Sequence, residues 1–123
     1  CEAWVHGPVY REIYYKYNDH GYNPIEESMK QFECFDLTES EREIIDAVID
    51  YFGCFSGKIL EAMTHIEPPW KETRLGLGDG ETSSRIIKKD LIEKYYHQVA
   101  VKYNMLNIND MKDYSEDLFE KIR

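Results

Sequence analysis

Apolar residues recur at helical spacing along most of this chain, separated by glycine, proline and short polar stretches. Val9, Tyr10, Ile13, Tyr14 and Tyr17 share one helical face, with Arg11, Glu12 and Lys16 opposite. The pattern predicts a helix beginning at Pro8, whose fixed φ and missing N–H suit a first helical position. Gly7 allows a sharp turn before it, and Gly21 ends it near His20. The tyrosines read as core-margin residues, because a buried Tyr needs a partner for its hydroxyl. The sharper alternative is an aromatic surface for a protein partner; the core-margin reading is preferred for most of them.

Residues 26 to 36 fit neither period and read as loop with at most one helical turn. Thr38-Glu39-Ser40-Glu41 is a capping box opening the next helix. Ile44, Ile45, Val48, Ile49 and Phe52 form its stripe, and Gly53 stops it; this reads as the best core helix of the chain. Ser56 caps a second helix with Ile59, Leu60, Met63 and Ile66 on one face, ended by Pro68-Pro69. The short connection predicts an antiparallel or steeply crossed pair. Pro69 starts a short helix through Trp70 to Arg74.

Residues 75 to 84 form a glycine-rich surface loop. It is a poor phosphate cradle, lacking Gly-Lys-Ser/Thr and carrying two acids. Arg85-Ile86-Ile87 reads as a brief strand pairing with residues 2 to 5. Asp90 caps a helix from 91 to about 103, with Leu91, Ile92, Tyr95, Tyr96, Val99 and Tyr103 on its stripe. A last helix carries Met111, Tyr114, Leu118, Phe119 and Ile122, and either docks on the domain or serves a partner. The expected fold class is mainly α: a small helical domain with at most a short two-stranded β-ribbon.

At 123 residues and 42% apolar content the chain is one domain's worth. Its formal charge of −9, from 24 acids against 15 Lys plus Arg, argues against a nucleic-acid partner held by bulk electrostatics. It suits a basic protein partner. Cys1, Cys34 and Cys54 are odd in number and lack metal-type spacing, so free thiols in a cytoplasmic protein are expected. No apolar run reaches membrane-spanning length, and no membrane partner is expected. The first residue is Cys rather than Met, which reads as part of a longer frame or a processed form; a mature lipoprotein would carry a polar tether after that Cys.

No cofactor, metal ligand or catalytic residue is expected. The four histidines lack the close pairing that zinc needs, and no context lowers either internal Cys pKa. His6 reads as orienting a turn, and His65 as a helix-end residue favoured by the dipole. His20 and His97 read as surface residues. Trp70 beside Pro69 reads as a core plug, with Arg74 able to stack on it.

Taken together, the blocks Glu2-Ala3-Trp4, Gly7-Pro8-Val9 to Tyr14 and Tyr17, and Asn23-Pro24-Ile25 form an ordered series. Leu37-Thr38 to Gly53, Thr64-His65, Pro69-Trp70 and Arg74, then Ile86-Ile87 and Leu91-Ile92 to Tyr95-Tyr96 continue it. This series resembles the Panacea domain family, which includes phage-associated GepA-like and SocA-like proteins, over roughly residues 2 to 97. Family members typically carry a helical segment ahead of the Trp-Gly-Pro block that this chain lacks. The expected division is therefore an N-terminally incomplete Panacea-like helical domain over 1–104 and a C-terminal helical extension over 105–123.

The resemblance implies an antitoxin-type, protein-binding module that neutralises a co-encoded, often prophage-borne toxin by direct contact. The partner it implies is a cognate toxin protein, and it leaves a homo-oligomer open. The residues to watch, as partner contacts or fold signature, are Trp4, His6, Gly7, Pro8, Tyr10, Tyr14, His65, Pro69, Trp70 and Arg74. The tyrosine-rich first helix and the C-terminal helix are the candidate contact elements. Two alternatives remain: a metal-dependent hydrolase or other enzyme using His6, His65 and Arg74 with a carboxylate, and a transcription-associated regulator.

Overall fold

A computed structural model of the chain describes residues 1–26 and 36–123. It begins with a two-stranded antiparallel ribbon, β1 (Glu2–Trp4) and β2 (Gly7–Val9), in which Ala3 faces Pro8 and Trp4 faces Gly7. Six helices follow among the described residues: α1 (Arg11–Tyr17), α2 (Glu39–Phe52), α3 (Gly57–Ile66), α4 (Pro68–Thr73), α5 (Lys89–Lys102) and α6 (Met111–Ile122). The mainly α class with a minimal ribbon is as the sequence predicts. None of the described helices is long and apolar enough to cross a membrane.

The first helix starts later than its proline suggests. Pro8 lies in β2, and α1 begins at Arg11 after Tyr10. Proline suits a short ribbon as well as a helix start, because an extended segment accepts its φ and a strand edge does not need its N–H. Pairing with Glu2 and Ala3 decides between the two. The helix passes into a 3₁₀ turn, Asn18–His20, and ends at Gly21, whose φ is 52°.

The Thr38 capping box is present as expected. Glu41 N–H donates to Thr38 Oγ1 at 3.2 Å, and Thr38 N–H donates to Glu41 Oε2 at 2.8 Å. That backbone donor, followed by the Thr38 hydroxyl, holds the Glu41 carboxyl below its usual range. Ser56 caps α3, accepting from the Ile59 N–H at 3.4 Å. Pro68, one residue ahead of the expected Pro69, takes the first position of α4. Lys88, not Asp90, is the N-cap of α5; Asp90 lies in its first turn, where its charge still complements the helix dipole.

The core is built by α3, α5 and α6. Met63, Val99, Tyr114 and Leu118 are buried together, with Phe52, Phe55, Ile59, Leu60, Tyr103 and Phe119 among the side chains around them. Phe55 stacks on Phe119 at 5.3 Å. Each buried Leu or Met in such a cluster contributes roughly 1.5–3 kcal/mol relative to exposure. The C-terminal helix therefore docks and supplies core residues from the 105–123 segment.

Most of the expected core stripe of α2 is not buried; Phe52 at its C-terminal end packs against the core. Only Ala47 is buried in this helix, and the Ser115 hydroxyl donates to the Tyr51 carbonyl at 2.9 Å where α6 crosses it. Ile44, Ile45, Val48 and Ile49 face outward, 42–60% exposed. The helix meets the core through Ala47 and Phe52, and Ile44, Ile45, Val48 and Ile49 remain partly in water. Residues 27–35, which include most of the segment read as loop and also Cys34, lie outside the described residues.

Candidate functional site

The ribbon is tied to α3 and α4 by side chains from both ends of the sequence. Trp70 Nε1 donates to the Trp4 carbonyl at 2.8 Å, and Arg74 Nη1 donates to the Ala3 carbonyl at 3.0 Å. Ala3 is fully buried, and Arg74 is 6% exposed. Carbonyls are good partners for a buried guanidinium, whose five donors must all be accounted for. Arg74 Nη2 also donates to the Gly78 and Glu81 carbonyls, so the same side chain organises the glycine-rich loop.

The loop is further held where Arg85 Nη1 reaches the Leu75 carbonyl at 2.8 Å and the Thr73 carbonyl at 3.2 Å. Beyond it, Ala3 N–H donates to the Arg85 carbonyl at 2.9 Å, and Glu2 forms an isolated bridge with Ile86. The expected strand at 85–87 is thus reduced to one bridge beside β1.

Trp70 carries two further groups. The His65 ring stacks on it with centroids 4.0 Å apart, and the Arg74 guanidinium lies 5.2 Å from its centroid. Pro69 is buried beside it. Gly7 has a φ of 127°, and a Cβ there would sit 3.1 Å from Thr64 Oγ1. Trp4, Gly7, Pro69, Trp70, Arg74 and His65 therefore meet at one joint between the ribbon and α3–α4.

His6, Pro8, Tyr10 and Tyr14 lie on the outside of that joint. His6 Nδ1 is 2.9 Å from Glu61 Oε1, and its side chain is 82% exposed. The structure does not gather His6, His65 and Arg74 around a carboxylate: His6 meets Glu61, while Arg74 is occupied by carbonyls. No group of three or more His, Cys, Asp or Glu side chains suited to a metal occurs among the described residues.

The outer surface is aromatic. Helix α1 buries none of its residues. Tyr14 meets the Trp4 ring edge-on at 5.0 Å, and Tyr15 meets Tyr14 at 5.3 Å. The core-margin reading does not hold for most of these tyrosines: Tyr10, Tyr14 and Tyr15 are 43–64% exposed, while Tyr17 is half-buried. Glu2 fixes the helix start. It accepts from Arg11 Nη2 at 2.8 Å, Arg11 Nε at 3.1 Å and Trp4 Nε1 at 2.8 Å. The Arg11 hydrogen bond, then that of Trp4, hold the Glu2 carboxyl below its usual range.

An open cleft of about 690 Å³ adjoins this surface. Its lining combines apolar Trp4, Val5, Val9 and Tyr14 with the hydroxyls of Thr82, Ser83 and Ser84. An apolar lining that also carries hydroxyls can hold an aromatic or aliphatic side chain of a partner and hydrogen-bond its backbone.

A second cluster escaped sequence reasoning. Glu67, at the junction of α3 and α4, is buried and accepts from the Tyr114 hydroxyl and, at 3.3 Å, from the Tyr96 hydroxyl. Tyr95 and Tyr114 hydroxyls are 3.0 Å apart. Burial pushes the Glu67 carboxyl above its usual range against the pull of Tyr114 and Tyr96. Burial, then the Glu67 charge, drive the Tyr114 and Tyr96 hydroxyls upward. An acid between Ile66 and Pro68, on the edge of an apolar stripe, was the available signal.

The family model described as antitoxin SocA-like, Panacea domain, matches residues 1–71. That span contains the ribbon, α1, α2, α3 and the beginning of α4, and ends at the residue after Trp70. No curated protein and no solved structure matches the chain.

Proposed function

The chain belongs to the antitoxin SocA-like Panacea domain family, and on that premise we propose that it is a protein-binding module that neutralises a co-encoded toxin by direct contact. The observation that carries the contact site is the exposure of α1 and its N-cap: Tyr10, Ile13 and Tyr15 are 59–64% exposed, and the helix buries nothing. Exposed aromatic side chains grouped on a fixed element are the usual anchors of protein interfaces. The adjoining cleft gives a partner side chain somewhere to insert.

In this reading Trp4, Gly7, His65, Pro69, Trp70 and Arg74 keep the fold, while Tyr10, Tyr14, His6 and Pro8 belong to the contact surface. The net charge of −9 speeds encounter with a basic toxin. The proposed compartment is the cytoplasm, where Cys1 and Cys54 remain free thiols. Residues 105–123 are proposed as an extension of the Panacea-like unit in chain order that completes its core.

Co-expression with the product of the adjacent gene tests the reading, scored by growth rescue and co-purification. Rescue with a stable complex supports it. Rescue without a complex means indirect neutralisation, and an inert neighbour that does not bind removes the toxin from the account.

A further inference from the structure

We propose that the outward face of α2 is a docking surface for an amphipathic helix with a basic flank on the partner protein. The inference rests on the protein-binding reading above and adds the chemistry of what is bound. It starts from the two ridges Ile44–Val48 and Ile45–Ile49, each a pair at four-residue spacing. All four side chains are 42–60% exposed, whereas Ala47, next round the helix from Ile44, is buried and Phe52, one turn beyond Val48, packs against the core.

The acidic residues of the same helix are placed beside this stripe. At 100° per residue, Ile44, Val48, Ile45 and Ile49 cover one arc, shared with Glu41 at its N-terminal end and Phe52 at its C-terminal end. Arg42 follows, and then come Asp46, Glu39, Asp50 and Glu43 before the buried side is reached. All four acids are exposed, and none enters an ion pair among the described residues. They recur at helical spacing along the full length of the 14-residue helix, roughly 21 Å. A partner helix laying its apolar stripe on the ridges would bring one flank over this row, and Lys or Arg there meets it.

Other occupants fit less well. A strand cannot add to a helix whose backbone N–H groups are already used, so main-chain pairing is excluded. A second copy in an antiparallel two-fold arrangement would set one acidic row against another. Ridges at four-residue spacing take the grooves of another helix, and the capping box at Thr38 already holds α2 in shape.

The test uses a synthetic helical peptide of about 15 residues with leucines at i, i+3, i+4 and i+7 and lysines on its flanks. It is titrated into full-length protein labelled at Ile and Val methyls. Two control peptides carry glutamates in place of the lysines, or the same Leu and Lys residues scrambled. The expected result is shifts at Ile44, Ile45, Val48 and Ile49, with affinity about tenfold or more above both controls. Asp46→Asn with Asp50→Asn should reduce the preference for lysine over glutamate. Ile45→Ser with Ile49→Ser should remove the shifts while circular dichroism stays unchanged, since both side chains lie outside the core.

Equal affinity for all three peptides overturns the proposal, as do shifts confined to α1 and the cleft, or self-association through α2. The adjacent toxin separates the two readings. If it co-purifies equally with wild type and with the Ile45/Ile49 variant, the antitoxin reading stands and the α2 surface falls. If it ignores the wild type while the lysine peptide still shifts α2, the docking chemistry stands and the toxin reading falls.

Discussion

Arg74 donates to the carbonyl of Ala3 at 3.0 Å across a sequence separation of 71 residues, with both groups buried. That one contact closes the ribbon onto the helices and fixes the glycine-rich loop through the same guanidinium. A charge in this position is stable only because backbone carbonyls surround it. Arg74→Ala is therefore expected to cost about 3 kcal/mol, since it strips charged hydrogen bonds from several buried acceptors. Arg74→Lys should recover only part, because a point charge cannot reproduce the fork. Urea midpoints decide this; unchanged midpoints with lost partner binding would instead make Arg74 a contact residue.

Gly7→Ala tests the same joint from the ribbon side. Its φ of 127° strains any side chain, and the 3.1 Å approach to Thr64 Oγ1 crowds a Cβ. Destabilisation of about 1–3 kcal/mol is expected, measured by thermal or chemical unfolding. A neutral result would show that the ribbon shifts freely.

Leu118→Ala addresses the C-terminal helix. Leu118 is 3% exposed and sits with Met63, Val99 and Tyr114, so a cost of about 2–5 kcal/mol is expected. Removing residues 105–123 should abolish cooperative unfolding. A truncated chain that still melts sharply would make the segment an accessory tail.

Glu67 gives a pH dependence of defined sign. Burial holds its native carboxyl above the ordinary value of 4.5, so the native state prefers the protonated form. Its contribution is complete below the ordinary carboxyl pKa and is lost as pH rises through the raised native value. Glu67→Gln keeps an acceptor for Tyr114 and Tyr96 without the charge. It should flatten the decline in stability between acid and neutral pH, read from urea midpoints across that range. Parallel declines in both proteins would assign the effect elsewhere.

The contact surface predicts a separation of stability from binding. Tyr10→Ser with Ile13→Ser should change stability by no more than about 0.5 kcal/mol per site, since both side chains are mostly in water. Affinity for the adjacent toxin should fall about tenfold or more if α1 anchors it. Titration calorimetry with the purified toxin measures this, and unchanged affinity removes α1 from the interface.

Many local signals in the sequence were read correctly, although the α5 cap fell at Lys88 rather than Asp90 and α4 began at Pro68 rather than Pro69. The Thr38 capping box, the Ser56 cap, the stop at Gly21 and the stripes of α3, α5 and α6 all depend on residues within a few positions of one another. The order of the Trp4, Gly7-Pro8, His65 and Pro69-Trp70 blocks was enough to indicate the family. Tertiary structure decided the rest. Pro8 satisfies a strand as well as a helix start, and only pairing with Ala3 chose the strand. The periodicity of α1 and α2 reports an apolar face but not what covers it, so one stripe read as core-margin and the other as core although most of their residues are exposed. Glu67 and Arg74 became buried groups through partners far away in the chain. Periodicity is a property of one element, whereas burial belongs to the pair of surfaces that meet.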